Sequence, residues 1–279
     1  MCKQSIIVSA RVEFTAIHQI PRRMQGIDIP IELTLPYKYD DWKGVVKNFD
    51  RMLTTLEDSH VTINTVHATH GKISDKSIFE WGQQTIRVAE HFGAQTITVH
   101  PNCVRKQRGD MQVLARSYLR QLQRHTSVVI SVETFTSNDR IFSPEEIIAY
   151  KLPMTLDTAH IYEHERIMRI IDNYWGNIHV VHLSARGEEG PHLPIDSFCI
   201  QVVRKLVNLK WSGTITLEYL PWHHYRLKSD IEIVKQALIG DVKPNEIPPP
   251  CNAYKECQDK WGHDTPEPNT TNGFESLES

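Results

Sequence analysis

Eight short apolar runs rich in β-branched residues recur along this chain, and segments of helical periodicity separate most of them. The runs are SIIVSA (5–10), IPIELTL (29–35), VTINTVHA (61–68), QTITVHP (95–101), SVVISVETF (127–135), PMTLDTAH (153–160), NIHVVHLS (177–184) and TITLEYL (214–220). Several are apolar on both faces, the pattern of parallel strands covered by helices. Between them, residues 42–56 set Val45, Val46, Phe49, Leu53 and Leu56 on one helical stripe. Residues 78–92 do the same with Ile78, Trp81, Thr85, Val88, Ala89 and Phe92, and stop at Gly93, where a left-handed C′ glycine is expected. Helical patterns also run through 112–123, 163–174, 197–209 and 230–239. Another helix opens at Ser143-Pro144-Glu145-Glu146, with serine as N-cap, proline at the first position and acids in the first turn. Strands alternating with helices in this way predict an α/β fold, a closed (β/α)8 TIM barrel; an open doubly wound sheet is the alternative.

Two stretches break the pattern. Residues 13–28 hold Pro21, two arginines and Gly26 without a long amphipathic run, which predicts a short or missing first helix. Residues 244–279 are rich in proline and polar groups and predict a disordered C-terminal tail after one catalytic domain over residues 1–243. Cys251, Cys257 and His263 in that tail match no familiar zinc spacing.

Charge and cysteine content exclude several classes. A net charge of −3 is not the basic footprint of a chain that grips nucleic acid by charge. Five scattered cysteines are no disulfide framework. No run approaches a membrane span, and the start lacks a secretory apolar segment, so a cytoplasmic protein is expected and the Asn269 sequon carries no meaning. Oligomeric state is not readable.

The chemistry is written at the strand ends. The fifth expected strand closes on Glu133, the sixth on Asp157, the seventh on His182 and the eighth on Glu218. In a barrel these ends converge on one face. Two glutamates, an aspartate and a histidine suit Mn²⁺, Zn²⁺ or Fe²⁺, and three carboxylates buried together without a cation repel one another. A lone acid at a strand end is more often an N-cap or a surface group, but that does not explain four in succession. His67 and His100 end the third and fourth strands, His160 follows Asp157 by three residues, and His192 lies in the loop after the seventh strand. Together they predict a second metal or substrate-binding groups. His70 rivals His67. Arg186 and the Gly213 turn are candidates for holding phosphate, and His223 and His224 of PWHHY, with Trp222 and Tyr225, follow the last strand. No Gly-rich nucleotide loop is present.

Taken in order, VHATHG, TVHPN, SVETF, TLDTAHIY, VHLSARG…GPHLP and TLEYLP resemble the xylose-isomerase-like barrel superfamily, over roughly residues 28–222. That superfamily includes sugar and sugar-phosphate isomerases and epimerases and also endonuclease IV. The resemblance implies that Glu133, Asp157, His182 and Glu218 bind a divalent metal. In the isomerase branch it implies that Glu133 and Glu218 move the substrate proton, that His160 polarises a substrate oxygen, and that His192 faces the same pocket. In the endonuclease IV branch it implies that His67 and His100 share a zinc with Glu133 and that His160 and His192 hold another. The aspartate that this branch places two positions before the last histidine is Gly190 here, with Glu188 and Glu189 the nearest acids. The expectation is a metal-dependent isomerase or epimerase of a small carbohydrate. The alternative is an endonuclease IV-like multi-zinc phosphodiesterase acting at abasic sites, or another di-metal reaction; charge and short loops argue against a nucleic-acid partner.

Overall fold

The computed structural model describes residues 6–13, 24, 28–35, 49–68, 71–73, 78–102, 108–135, 141–188 and 190–242. The barrel strands are β1 (Ile6–Glu13), β2 (Ile31–Thr34), β3 (Ile63–His67), β4 (Thr96–Val99), β5 (Val129–Glu133), β6 (Met154–Asp157), β7 (Ile178–Leu183) and β8 (Gly213–Leu217). Every pairing is parallel and runs in chain order, and β1 pairs with both β2 and β8. That last pairing closes the barrel and sets aside the open sheet. The helices are α1 (Phe49–Asp58), α2 (Ile78–His91), α3 (Arg108–Arg124), α4 (Pro144–Ala149), α5 (His164–Tyr174), α6 (Ser197–Asn208) and α7 (Leu227–Leu238). The weak first helix expected near residues 14–27, the start of the helix expected from residue 42, and the tail over 244–279 fall outside the described residues, save Met24.

Local signals act as their chemistry dictates. Gly93 ends α2 with φ +67°. Ser143 caps α4 in a full capping box: its Oγ accepts from Glu146 N, and the Glu146 carboxylate accepts from Ser143 N at 2.7 Å. Asp196 caps α6 by accepting from Cys199 N at 2.9 Å. α7 starts three residues ahead of its expected beginning at Asp230, because PWHHYR forms a 3-10 turn that runs into it. Residues expected as a loop after β7 form a two-stranded antiparallel hairpin, Ala185–Gly187 with Gly190–Leu193. Gly190 at φ +122° makes the turn, and His192 sits at φ +64°, a conformation that costs a β-carbon-bearing residue about 1 kcal/mol or more.

Outward-facing strand residues such as Leu33, Val66, Ile130, Val181 and Leu217 join one buried core with the helices. The inside of the barrel is polar. Asn64 Nδ2 on β3 donates to Thr214 Oγ1 on β8 at 2.6 Å, and Thr155 Oγ1 on β6 hydrogen-bonds Thr98 on β4 at 2.9 Å. Neither pair of strands is adjacent, so these bonds cross the interior. Each satisfies buried polar groups that would otherwise carry a desolvation penalty. Gly213 opens β8 packed against the Trp211 ring and the His179 carbonyl, where a β-carbon would come within 2.3 and 2.6 Å. It stands at the N-terminal end of its strand, opposite the end where Glu218 lies, which corrects the expectation that its turn holds phosphate.

Behind the C-terminal end of β8, Tyr219 OH donates to Asp230 Oδ2 at 2.7 Å and accepts from Ile195 N at 3.1 Å, tying β8 to α7 and to the lead-in of α6. Tyr219→Phe strands both partners in a buried site. It is expected to destabilise the chain by about 1–3 kcal/mol, read as a lower denaturant midpoint at unchanged slope.

Candidate metal centre

The parallel register brings the polar strand ends to one level: His67 pairs with Thr34, and Asp157 with His182. Glu133, Asp157 and His67 end their strands, His182 is second to last in β7, and His100 and Glu218 directly follow β4 and β8. All six are buried. The turn after β6 adds a seventh group. Asp157 Oδ1 accepts from the backbone N–H of Ala159 at 2.7 Å and of His160 at 3.0 Å, folding the chain back so that the His160 ring lies over Phe135, centroids 3.9 Å apart. The hairpin after β7 delivers His192, whose Nε2 lies 3.2 Å from His160 Nε2.

These side chains form three ligand groups: His67, His100 and Glu133; Glu133, Asp157, His182 and Glu218; and Asp157, His160 and His192. Within each group the ligand atoms lie within 4.8 Å of one another. Glu133 belongs to the first and second groups, and Asp157 to the second and third, so the three form one continuous row. Glu133 Oε2 faces His67 Nε2 at 3.0 Å and contacts His100 Nε2, while its Oε1 faces His160 Nδ1 at 3.2 Å and His182 Nδ1 at 3.3 Å. His182 Nδ1 also lies 2.8 Å from Glu218 Oε2 and 3.8 Å from Asp157 Oδ2.

The residues fit divalent ions. Asp157 Oδ2 and Glu218 Oε2 are buried and take no hydrogen bond, though imidazole nitrogens stand nearby. Ligand atoms sharing a tetrahedral ion at roughly 2.1 Å lie about 3.4 Å apart, close to the spacings just given. The mixed imidazole and carboxylate set suits Zn²⁺, Mn²⁺ or Fe²⁺ rather than a soft thiolate-seeking ion.

Electrostatics point the same way. Burial pushes the Glu133 pKa up, but the charges on His100 and His182 and hydrogen bonds from His160 and His182 hold it well below the usual carboxylate range. Burial lowers His182, yet the Glu32 and Glu133 carboxylates outweigh it and keep this histidine well above the ordinary range. Burial, aided by Arg11, lowers His67 against the pull of Glu133. Burial likewise takes His192 to about 4, Asp157 opposing and His160 and Arg11 adding to the drop. Both are therefore neutral at pH 7, the form in which an imidazole can ligate an ion.

Arg11 and Glu32 are members of this centre that the sequence reading missed. Arg11, on β1 past the expected end of the strand, pairs with Glu218 and donates from Nε to Thr34 Oγ1 at 2.8 Å. Glu32 is fully buried mid-strand in β2 and meets His182 from the other side. The available signal was a lone glutamate inside an otherwise apolar strand, where a charge is rarely buried unless paired. Glu188 is exposed and His223 and His224 join none of the ligand groups; His224 Nε2 lies 3.3 Å from the Tyr219 carbonyl. His70 and Glu189 lie outside the described residues. Arg186 donates to the Ala159 carbonyl at 2.8 Å and stacks 3.8 Å over Tyr162, itself 64% exposed, at the rim of the turn that carries His160.

No family model matches the chain, and no curated protein matches it in sequence. Solved structures match it in shape. A 3-keto-D-glucoside 4-epimerase from E. coli aligns with a TM-score of 0.62 at 11% identity, over 83% of this chain and 100% of that one. Xylose isomerase-like proteins and a sugar phosphate isomerase/epimerase align as well. The chain shares its (β/α)8 barrel fold with these proteins. Endonuclease IV from Thermus thermophilus aligns at a TM-score of 0.55 and 13% identity, over 84% and 99% of the two chains. A probable 3-DHS dehydratase from Bacillus anthracis does so at 0.58 and 14%, over 82% and 99%. The eight-stranded barrel that the motifs implied is thus shared with epimerases, isomerases, dehydratases and a nuclease.

The raised His182 pKa carries a consequence for ion binding. At pH 7 the metal-free site holds a proton on His182 that an ion must displace, because only neutral imidazole ligates. Calorimetric titration of the metal-free chain with Zn²⁺, in buffers of different ionisation enthalpy, is expected to show release of about one proton from this group. Heats independent of the buffer would contradict it.

Proposed function

We propose that this chain is a divalent-metal-dependent hydrolase that cleaves a phosphate ester of a small, sugar-containing molecule. The observation that carries this reading is the sharing of Glu133 and Asp157 between neighbouring ligand groups, so that three groups stand in a row. Phosphoryl transfer spreads charge over several oxygens and aligns an attacking and a leaving oxygen, a demand that adjacent cations meet and a single cation meets less well. Bound divalent ions supply Lewis acidity and positive charge to those oxygens.

The protein's own groups do the rest. Glu133 stays ionised and holds two groups together. Arg11 offsets the charge of Glu218. Phe135, stacked on His160, covers one face of that ring and fixes its position. His160 and His192, whose side chains are 14% and 15% exposed, face the mouth and meet the substrate first. Arg186, held at the rim by the Ala159 carbonyl, presents its guanidinium to an anionic part of the substrate. A bond forms between water oxygen and phosphorus as the ester P–O bond breaks, and the leaving oxygen keeps the electron pair and takes a proton. The net charge of −3 supports a small substrate over duplex DNA.

A metal-dependent sugar isomerase or epimerase is the second reading. The Glu133, Asp157, His182 and Glu218 group favours it, being a complete four-ligand site by itself. Its roles for Glu133 and Glu218 need a carboxylate oxygen within hydrogen-bond reach of a substrate C–H. Both Glu133 oxygens already face imidazoles and Glu218 is paired with Arg11, which weakens this reading.

Metal-loaded chain incubated with bis(p-nitrophenyl) phosphate and with sugar phosphodiesters in ¹⁸O-water tests the proposal. Product phosphate is expected to carry one ¹⁸O, and His192→Ala to lower kcat/KM on the order of 100-fold. No phosphoester cleavage, together with deuterium from D₂O entering a sugar carbon, would favour the isomerase reading instead.

A further inference from the structure

We infer that Glu32 is a positioning residue of the metal centre: it fixes the His182 ring so that Nδ1, and not Nε2, is presented to Glu133, Asp157 and Glu218. The inference rests on the reading of these residues as metal ligands. Glu32 lies in IELT of β2, a strand whose four residues are all buried. In the closed sheet β2 and β7 are separated by β1 and β8, so a contact between them must cross the interior. Glu32 makes that contact. Both of its carboxylate oxygens lie 3.1 Å from His182 Nε2, and Oε2 also accepts from Thr65 Oγ1 at 2.9 Å.

An imidazole offers an ion the nitrogen that its other hydrogen bond leaves free. With Nε2–H donated to Glu32, the proton that an ion displaces is the one on Nδ1, and this nitrogen, which faces Glu218 Oε2 at 2.8 Å and Glu133 Oε1 at 3.3 Å, is the one left with its lone pair. Carboxylate, imidazole and ion in line is the arrangement that fixes tautomer and ring angle and strengthens the ligand. Packing alone does not explain the residue. An apolar side chain like that of Leu33 next to it fills such a strand without the penalty of a buried charge. If holding Thr65 were its purpose, glutamine would serve as well. The charge is therefore the part of Glu32 that acts, through His182.

The full-length chain, stripped by a chelator and titrated with Co²⁺ while its visible absorption is followed, tests this. Glu32→Gln keeps the size of the side chain and removes its charge. It is expected to melt cooperatively, to bind the ion that His182 holds about 10–100-fold more weakly, and to shift the cobalt bands. Thr65→Val, which frees Glu32 from its second hydrogen bond, is expected to weaken that ion by about two- to tenfold. Glu218→Gln, which removes a ligand, is the control that loses the ion. If Glu218→Gln loses the ion while Glu32→Gln keeps wild-type affinity and bands, Glu32 is only structural and the inference fails by itself. If Glu32→Gln does not fold, wild-type affinity and bands in Thr65→Val overturn it. If the unaltered chain takes up no Co²⁺, the metal reading falls and this inference falls with it.

Discussion

Four carboxylates, Glu32, Glu133, Asp157 and Glu218, are buried around one end of the barrel, and the arrangement of that end follows from what offsets their charge. Like charges at this separation in a protein interior repel by several kcal/mol unless cations or hydrogen bonds intervene. Histidines intervene from β3, β4, β7 and the turn after β6, and Arg11 from β1. His182 lies between Glu32 on one side and the three ligand carboxylates on the other, which is why it favours its protonated form in the metal-free chain. The same constraint explains the polar interior below, where Ser9, Thr216, Thr98, Ser131 and Thr155 pair with one another. Folding brings these groups together in advance, so an ion held by them would be coupled to the stability of the whole barrel.

Much of this was legible in the chain before folding. The outward-facing residues of these strands are apolar and many inward-facing ones are threonines, so all eight strands announced themselves as β-branched runs, and α2 and α4 carried their end signals in Gly93 and Ser143. The strand-end ligands were legible because parallel register aligns such ends on one face. What stayed hidden depended on pairing across space. Arg11 interrupts an apolar run and reads as the end of a strand, yet β1 continues to Glu13 because Glu218 stands beside it. Glu32 lies inside its strand, away from the strand ends that carry the other acids of the cluster. The segment after β7, with two glycines around two glutamates, reads as a plain loop, and only its pairing makes it the hairpin that presents His192.

The third ligand group shows the limit most clearly. The resemblance to the endonuclease IV branch implied an aspartate at the position that Gly190 occupies. In the folded chain it is Asp157 that stands beside these histidines: its Oδ1 is spent on two backbone N–H groups, which brings His160 round to within 3.2 Å of its Oδ2. A sequence names the ligand-type side chains but not which of them belong to two groups at once, and that sharing separates a row of three groups from one isolated cluster. Barrels of this fold serve epimerases, dehydratases and a nuclease, so the fold by itself does not choose among them.

The count of ions per chain tests the account most directly. Elemental analysis of the full-length protein, saturated with Zn²⁺ and freed of excess, is predicted to give three ions per chain, with Asp157→Asn losing the two whose groups share that carboxylate. One ion per chain at saturation, lost in Glu218→Gln and unaffected by removing His67, His100 or His192, would contradict it.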